Sequence, residues 1–142
     1  MNYKLSDFNK TSVYLLKKDG VVVYVGSSKN GFYRALSHAY NKPVKDFDEI
    51  ELIDCELDDL IELETELIIK YQPIYNNTIP SKNYITLKSF KEQYCTGRLT
   101  ELKMFELKNK IRDAGLMPKC VIGGNVYYLL DELYNLIKEQ PN

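Results

Sequence analysis

The sequence has few of the features that are typical of a disulfide-bonded, zinc-binding or membrane-embedded protein. Its three cysteines are odd in number, widely spaced and without a Cys-x-x-Cys pair. This pattern argues against a disulfide framework and a structural zinc site, so we expect Cys55, Cys95 and Cys120 to be reduced packing residues. No segment has the length and apolarity of a membrane span, and the first residues lack the apolar run of a signal peptide. We therefore expect a cytoplasmic protein with no membrane partner.

The sequence also has almost no net charge, because basic and acidic residues occur in separate blocks. The formal charge is −1, yet residues 1–45 carry +6, residues 46–69 carry −11 and residues 70–142 carry +4. The two basic blocks are able to attract phosphate groups. A solvated helix surface explains most of the acidic block, which leaves only one or two of its acids as functional candidates.

Two short apolar runs near the N-terminus predict a β-hairpin, and each run carries a tyrosine. Tyr14 lies in residues 12–16 and Tyr24 lies in residues 21–26. The polar segment between them ends in Asp19-Gly20, a turn signal between two β-branched runs. Taken singly, each tyrosine is more simply explained as a half-buried aromatic residue with a hydroxyl partner.

A helix is predicted to follow the hairpin, starting near Asn30, which is a good capping residue. Arg34 and His38 are four residues apart, so they share one face of this helix. His38 is the one histidine of the chain, and such a residue is more often structural than functional. Taken alone, Arg34 is explained equally well as one half of a salt bridge with an acidic residue. What points to function is the joint arrangement with the two tyrosines.

Glu64 is the acid of the central block that we single out. Residues 50–55 alternate as a strand, and Asp58 or Asp59 is predicted to start the next helix. On that helix Glu64 shares the core-facing side with apolar neighbours. An ionised carboxylate there is costly unless it is compensated, and a divalent cation is the obvious compensation. Glu66 is the alternative candidate.

In these residues the chain resembles the GIY-YIG nuclease family. The two half-motifs appear as Ser12-Val13-Tyr14 and Tyr24-Val25-Gly26, and they are followed at matching spacings by an arginine, a histidine and a glutamate. These, with the later part of the signature, are Arg34, His38, Glu64, Leu67-Ile68, Pro73, Tyr75 and Asn76. The resemblance spans roughly residues 11–77, and its pieces form a specific signal because all occur in order.

Two positions depart from the family pattern. Ser12 replaces the glycine of the first half-motif, which a strand tolerates. Ser27 follows Gly26 where some members carry a lysine that helps to activate water, and Lys29 is a candidate substitute.

The resemblance implies a fold, an activity and a role for each site residue. It implies an α/β (α+β) fold in residues 1–80, with a small, mainly antiparallel three-stranded sheet flanked by helices, and metal-dependent endonucleolytic cleavage of DNA. Glu64 would hold one Mg²⁺ or Mn²⁺, and Arg34 would neutralise phosphate charge. Tyr14 would act as general base if the metal and nearby cations lower its ordinary pKa of ~10. His38 and Tyr24 would orient water and phosphate or relay the proton. The supporting residues are Gly26, Lys29 and Asn76.

Residues 84–142 predict a second, mostly helical module after a turn-rich linker. The pattern gives a helix at residues 87–94, a longer helix at about residues 100–114, a hairpin around Gly123-Gly124-Asn125, and a final helix capped by Asp131 that runs to Lys138. This order resembles a winged helix-turn-helix or excisionase-like module. The alternative is a helical appendage that packs on the first domain. The candidate DNA-binding residues, with Lys119 expected in the wing, are Lys29, Arg98, Lys103, Lys108, Lys110, Arg112 and Lys119.

Three functions are compatible with this sequence. Small free-standing proteins of this kind resemble phage or mobile-element homing endonucleases, which would act in the host-cell cytoplasm. A non-catalytic DNA-binding or adaptor protein on a nuclease scaffold is the second possibility, although the intact Tyr14, Arg34, His38 and Glu64 speak against it. A structure-selective or single-strand nuclease is the third.

Overall fold

The computed structural model describes residues 10–41, 45–95 and 102–138, and the chain divides into two compact units at residues 81 and 82. The first unit has the expected three-stranded antiparallel sheet with flanking helices. Its elements are β1 (Ser12–Lys18), β2 (Val21–Ser28), α1 (Gly31–Ser37), β3 (Glu49–Asp54) and α2 (Leu60–Tyr71), with a 3-10 turn at Leu57–Asp59 before α2.

Strand β1 is the central strand of this sheet, between β2 and β3. Its residues 13–16 are buried in the core. The β1–β2 turn is Asp19-Gly20, where both φ angles are positive, at 51° and 79°. Those angles are typical of a two-residue type I′ turn, whose twist matches that of the flanking strands. The predicted hairpin is therefore present, with the two tyrosines on neighbouring strands.

The edge strand β2 is held by the chain segment that follows α2. Pairing with β1 skips Val23, which forms a bulge beside Tyr24, and the Val23 carbonyl accepts a hydrogen bond from the Tyr75 N–H at 3.0 Å. Asn76 then bonds both backbone groups of Val25: its Oδ1 accepts from the N–H and its Nδ2 donates to the carbonyl, each at 2.9 Å. Because an edge strand leaves polar backbone groups unpaired, Asn76 supplies the partner that a further strand would provide.

Helix α1 differs from the prediction at both ends. Asn30 precedes it, but the Asn30 side chain makes no capping hydrogen bond. The first helical N–H, that of Gly31, instead donates to the Lys10 carbonyl at 3.2 Å. The helix ends at Ser37, so His38 lies at its C-cap and not within the helix. Arg34 and His38 are still brought to the same side of the sheet, as the site geometry below shows.

Ser12 and Gly31 fit together where α1 meets β1. Ser12 is buried, and a Cβ atom built on Gly31 would lie 1.8 Å from the Ser12 Oγ. The serine that replaces the first half-motif glycine is therefore accommodated because the facing residue of α1 has no side chain.

The second unit has its own core and a second three-stranded sheet. Phe90, Leu107 and Leu133 are fully buried at its centre. The sheet has the order β4-β6-β5, and within the described residues no helix is long and apolar enough to cross a bilayer. The elements are β4 (Tyr84–Ile85), α3 (Leu87–Tyr94), α4 (Met104–Ala114), β5 (Cys120–Ile122), β6 (Asn125–Leu129) and α5 (Leu130–Lys138).

The elements of this unit agree in part with those predicted from the sequence, and local chemistry explains the differences. The predicted hairpin is present, with positive φ angles at Gly123 and Gly124. Helix α4 begins at Met104, later than expected, since Leu102 and Lys103 are not helical. Asp131 lies in the first turn of α5 and is not its cap, because α5 already begins at Leu130. Strand β4 was not predicted, since two residues are too few to show a period of two.

We predict that Gly31→Ala destabilises the protein by about 1–3 kcal/mol, because the added Cβ overpacks against Ser12. The free energy of unfolding in denaturant measures this loss. The double variant Ser12→Gly/Gly31→Ala should recover most of it, since the opposing side chain is gone. Additive losses in the double variant would contradict the proposed size coupling.

Candidate active site

Tyr14 projects from the central strand across the face of Gly26. The two residues are cross-strand partners, and a Cβ on Gly26 would lie 2.4 Å from both the Tyr14 Cζ and its hydroxyl oxygen. Tyr14 is 1% exposed. Glycine is therefore needed at residue 26 because the Tyr14 ring occupies the space of a side chain.

The His38 imidazole is hydrogen-bonded to the Tyr14 hydroxyl and lies against both tyrosine rings. The distance from Tyr14 Oη to His38 Nε2 is 2.7 Å. The His38 ring centroid is 5.5 Å from that of Tyr14 and 4.8 Å from that of Tyr24. Burial, with help from Lys45 and Arg34, lowers the pKa of His38 to about 4. The imidazole is therefore neutral at pH 7 and is able to accept a proton at Nε2.

Burial raises the pKa of Tyr14 above its ordinary value. The Arg34 guanidinium does lower the pKa of this hydroxyl by charge and by a hydrogen bond, but burial and the charges of Tyr24 and Glu64 outweigh it. Tyr14 therefore keeps its proton at neutral pH, and its hydroxyl is hydrogen-bonded to His38 Nε2, with the direction of the bond set by the tautomer of the imidazole.

Glu64 lies on α2 and faces the same cluster. Its Oε2 accepts a hydrogen bond from the Ser27 hydroxyl at 2.7 Å. Burial raises the pKa of Glu64, and the Ser27 hydrogen bond opposes the rise. The negative charge of Glu64 in turn raises the pKa of both Tyr14 and Tyr24. Glu66, the alternative, is exposed on the same helix.

Two residues of this cluster were missed from the sequence, namely Ser27 and Lys45. Ser27 stands where some family members carry lysine, but only the structure shows that its hydroxyl reaches Glu64. The Lys45 Nζ lies 4.6 Å from the centroid of the Tyr24 ring, a cation–π distance. No motif marks Lys45, since it comes from the irregular segment before β3. Lys29, the expected substitute, is exposed in the turn between β2 and α1.

The donor groups fit a weakly held divalent cation. Glu64 is a partly buried carboxylate, and its Oε1 accepts no hydrogen bond from the residues that the structure describes. In that same part of the chain there is no group of three or more His, Cys, Asp or Glu side chains that could hold a metal. Magnesium bound through one or two carboxylates keeps several waters and often uses substrate phosphates as ligands. A cation held by Glu64 would therefore need further ligands from water or from a bound phosphate.

The candidate DNA-binding residues of the second unit differ in their surroundings. Lys103, Lys108 and Arg112 are exposed and Lys110 is half-buried, whereas Arg98 lies outside the described residues. Lys119 was expected in the wing, but the tip of the β5–β6 hairpin is Gly123-Gly124. Lys119 instead lies just before β5 and forms an ion pair with Glu132 at 3.1 Å.

Comparison with known proteins supports the motif assignment. No family model matches the chain. UvrABC system protein C of Fusobacterium nucleatum subsp. nucleatum is 34% identical over 111 residues, which are 70% of this chain and 19% of that protein. The chain thus spans about a fifth of the length of this curated relative. The sequence similarity confirms the resemblance to the GIY-YIG nuclease family.

Solved structures of one such domain also match. The magnesium-bound GIY-YIG N-terminal endonuclease domain of UvrC from Thermotoga maritima is 28% identical, and the match covers 52% of this chain and 99% of that domain with a TM-score of 0.44. A point mutant of the same domain, bound to its catalytic divalent cation, gives 28% identity, 52% and 98% coverage and a TM-score of 0.44.

Proposed function

We propose that this chain is a metal-dependent DNA endonuclease that hydrolyses phosphodiester bonds through the GIY-YIG residues of its first unit. One observation carries the proposal: Tyr14, Tyr24, Arg34, His38 and Glu64 come from separate parts of the sequence and meet in one partly buried cluster. A set of neutral hydroxyls, an imidazole, a guanidinium and a carboxylate is what phosphoryl transfer to water requires. The similarity to a UvrC endonuclease domain supports the same activity.

In this mechanism Tyr14 and His38 act as a pair on the attacking water. The Tyr14 oxygen accepts a proton from water as its own proton passes to His38 Nε2, so no free phenolate forms. The new O–P bond then forms while the bond to the leaving 3′ oxygen breaks. Tyr24 keeps the imidazole and the water in place, since its ring packs against His38 and its hydroxyl lies within hydrogen-bonding reach of Tyr14.

Arg34 binds the negative charge that builds on the non-bridging oxygens, a task suited to a guanidinium that is always charged. Binding of phosphate at Arg34 also changes the pKa of His38. Without substrate, Arg34 and Lys45 help to lower the pKa of His38. A substrate phosphate bound at Arg34 offsets part of this charge, so it raises the pKa of His38 and favours proton transfer.

Glu64 is the residue that would hold Mg²⁺ or Mn²⁺, and a cation there would polarise the phosphate and stabilise the leaving oxygen. Ser27 orients the carboxylate through its hydrogen bond to Oε2. Asn76 acts at a distance, because it fixes the backbone of β2 between Tyr24 and Gly26. Asn76 is therefore proposed to position β2 and to take no direct part in the reaction.

The second unit is proposed to bind DNA through α4. Lys108 and Arg112 are four residues apart, so they project from the same exposed face of this helix. The order of two helices, a hairpin and a third helix in this unit supports a winged helix-turn-helix arrangement, in which one helix contacts DNA. Origin from a phage or mobile element, with action in host-cell cytoplasm, stays a prediction, because the similar proteins are UvrC proteins of two bacteria.

We predict that wild-type protein nicks supercoiled plasmid with Mg²⁺ and that Glu64→Gln loses this activity by more than about 100-fold, because the carboxylate that holds the cation is gone. Glu66→Gln is the matched control, since it removes an exposed carboxylate two residues away and should cleave normally. Undiminished cleavage by Glu64→Gln would remove Glu64 as the ligand. If wild-type protein cuts neither supercoiled, linear nor single-stranded DNA with either metal, the adaptor hypothesis replaces the nuclease.

For the second unit, we predict that Lys108→Ala/Arg112→Ala weakens duplex binding and reduces the dependence of log affinity on log salt by about two, one for each lost phosphate contact. Binding is measured in the Glu64→Gln background to prevent cleavage. Lys138→Ala, which removes an exposed charge from α5, should change little. Unchanged affinity in the double variant would favour the appendage alternative.

A further inference from the structure

A pocket with both polar and apolar lining adjoins the Tyr24 side of the candidate active site. It encloses about 450 Å³ and is lined by Tyr24, Lys45 and residues 74–78. This volume is within the usual range for small-ligand pockets. Tyr24 contributes to both the cluster around His38 and this pocket, so a ligand here would lie directly beside the scissile phosphate.

Lys45 is held in this pocket by a contact of its side chain and by a backbone hydrogen bond of the next residue. Its Nζ packs over the Tyr24 ring at 4.6 Å from the centroid. The next residue, Asp46, donates its backbone N–H to the Tyr75 hydroxyl at 3.2 Å, and the Tyr75 backbone is bonded to the bulge residue Val23. Lysine is flexible, and such contacts reduce the conformational freedom that a ligand would otherwise have to remove.

The positive charge of Lys45 has no acidic partner in the described residues. Lys45 makes no ion pair in that part of the chain, and the neighbouring carboxylate of Asp46 is instead 3.6 Å from the Lys18 Nζ. By contrast, Lys17, Lys18 and Lys119 all pair with acids. Lys45 is half-buried and lies beside side chains that form hydrogen bonds. A lysine in such surroundings, without an acidic partner, is suited to bind an anion.

We propose that this pocket binds the phosphate of the nucleotide next to the scissile bond, and that Lys45 is the cation that holds it. The inference rests on the proposed nuclease function and adds a substrate-binding residue outside the family motif. Asn77 and Thr78 add neutral hydrogen-bonding side chains to the same pocket. Arg34 would bind the scissile phosphate and Lys45 the adjacent one. Together the two cations would fix the position of the DNA strand relative to the active site.

The test uses the single histidine of the untagged chain, whose imidazole signal in proton NMR is unambiguous. In the Glu64→Gln background, thymidine 3′,5′-bisphosphate should shift the His38 signal in a saturable way. Adding Lys45→Gln should raise the dissociation constant of the bisphosphate about tenfold, because one charged hydrogen bond is lost. Lys45→Arg should keep most of the affinity. If Lys45→Gln binds the bisphosphate as tightly as its parent, the proposal is overturned.

Lys70→Gln is the matched control, because Lys70 also lies over a tyrosine ring, at 5.1 Å from Tyr71, but does not line the pocket. It should leave binding unchanged, and an equal loss would overturn the assignment to Lys45. Lys45→Gln should also raise the pKa of His38, since one of the cations that lower it is removed. An unchanged pKa would place Lys45 away from the cluster in solution and would contradict the proposal.

Cleavage kinetics separate binding from chemistry. With Glu64 intact, Lys45→Gln should raise KM about tenfold, because the contact with the adjacent phosphate is lost in the bound substrate. A loss in kcat alone would overturn the binding role. The bisphosphate titration needs no catalysis, so a chain that binds through Lys45 yet cleaves nothing would contradict the proposed nuclease and leave this pocket standing.

Discussion

The hydrogen bond between the Tyr14 hydroxyl and His38 Nε2 is the interaction on which the rest of the site depends. It lies in the interior, where an unpaired hydroxyl or imidazole would be costly, so each group needs the other. Several features of the first unit serve this contact. Gly26 leaves space for the Tyr14 ring, and the turn after α1 brings His38 beneath Tyr24. The fold therefore places two neutral, hydrogen-bonded groups together before any substrate is present.

The charges around this neutral pair explain how substrate would activate it. Burial, helped by Lys45 and Arg34, lowers the pKa of the imidazole, and burial, helped by the charges of Tyr24 and Glu64, raises the pKa of the Tyr14 hydroxyl. Substrate phosphates bound at the two cations would relieve their effect on the imidazole at the moment when a base is needed. Binding and proton transfer are thus linked through electrostatics, because the same cations act on both the substrate and His38.

Short-range patterns were enough to predict much of the first unit, and long-range contacts explain the rest. Asp19-Gly20 indicates the hairpin because few residues adopt two successive positive φ angles, and helical spacing is enough to place Glu64 beside apolar residues. The contact of Ser27 with Glu64 joins residues 37 positions apart, and Lys45 comes from an irregular segment without periodicity. The direction of the Tyr14 pKa shift also could not be foreseen, since it depends on burial, which is a property of the folded chain. Asn30 looked like a cap, but the Lys10 carbonyl satisfies the Gly31 N–H.

The most direct measurement of the central claim is single-turnover cleavage by Tyr14→Phe at saturating DNA and Mg²⁺, with DNA affinity measured in parallel. If Tyr14 passes the proton of water to His38, the cleavage rate should fall by about 10²–10⁴-fold while affinity stays near that of the wild-type protein, since only the hydroxyl is lost. Circular dichroism would show that the variant is folded. A cleavage rate equal to wild type, or a rate that falls only as far as affinity does, would contradict the Tyr14–His38 pair as the base.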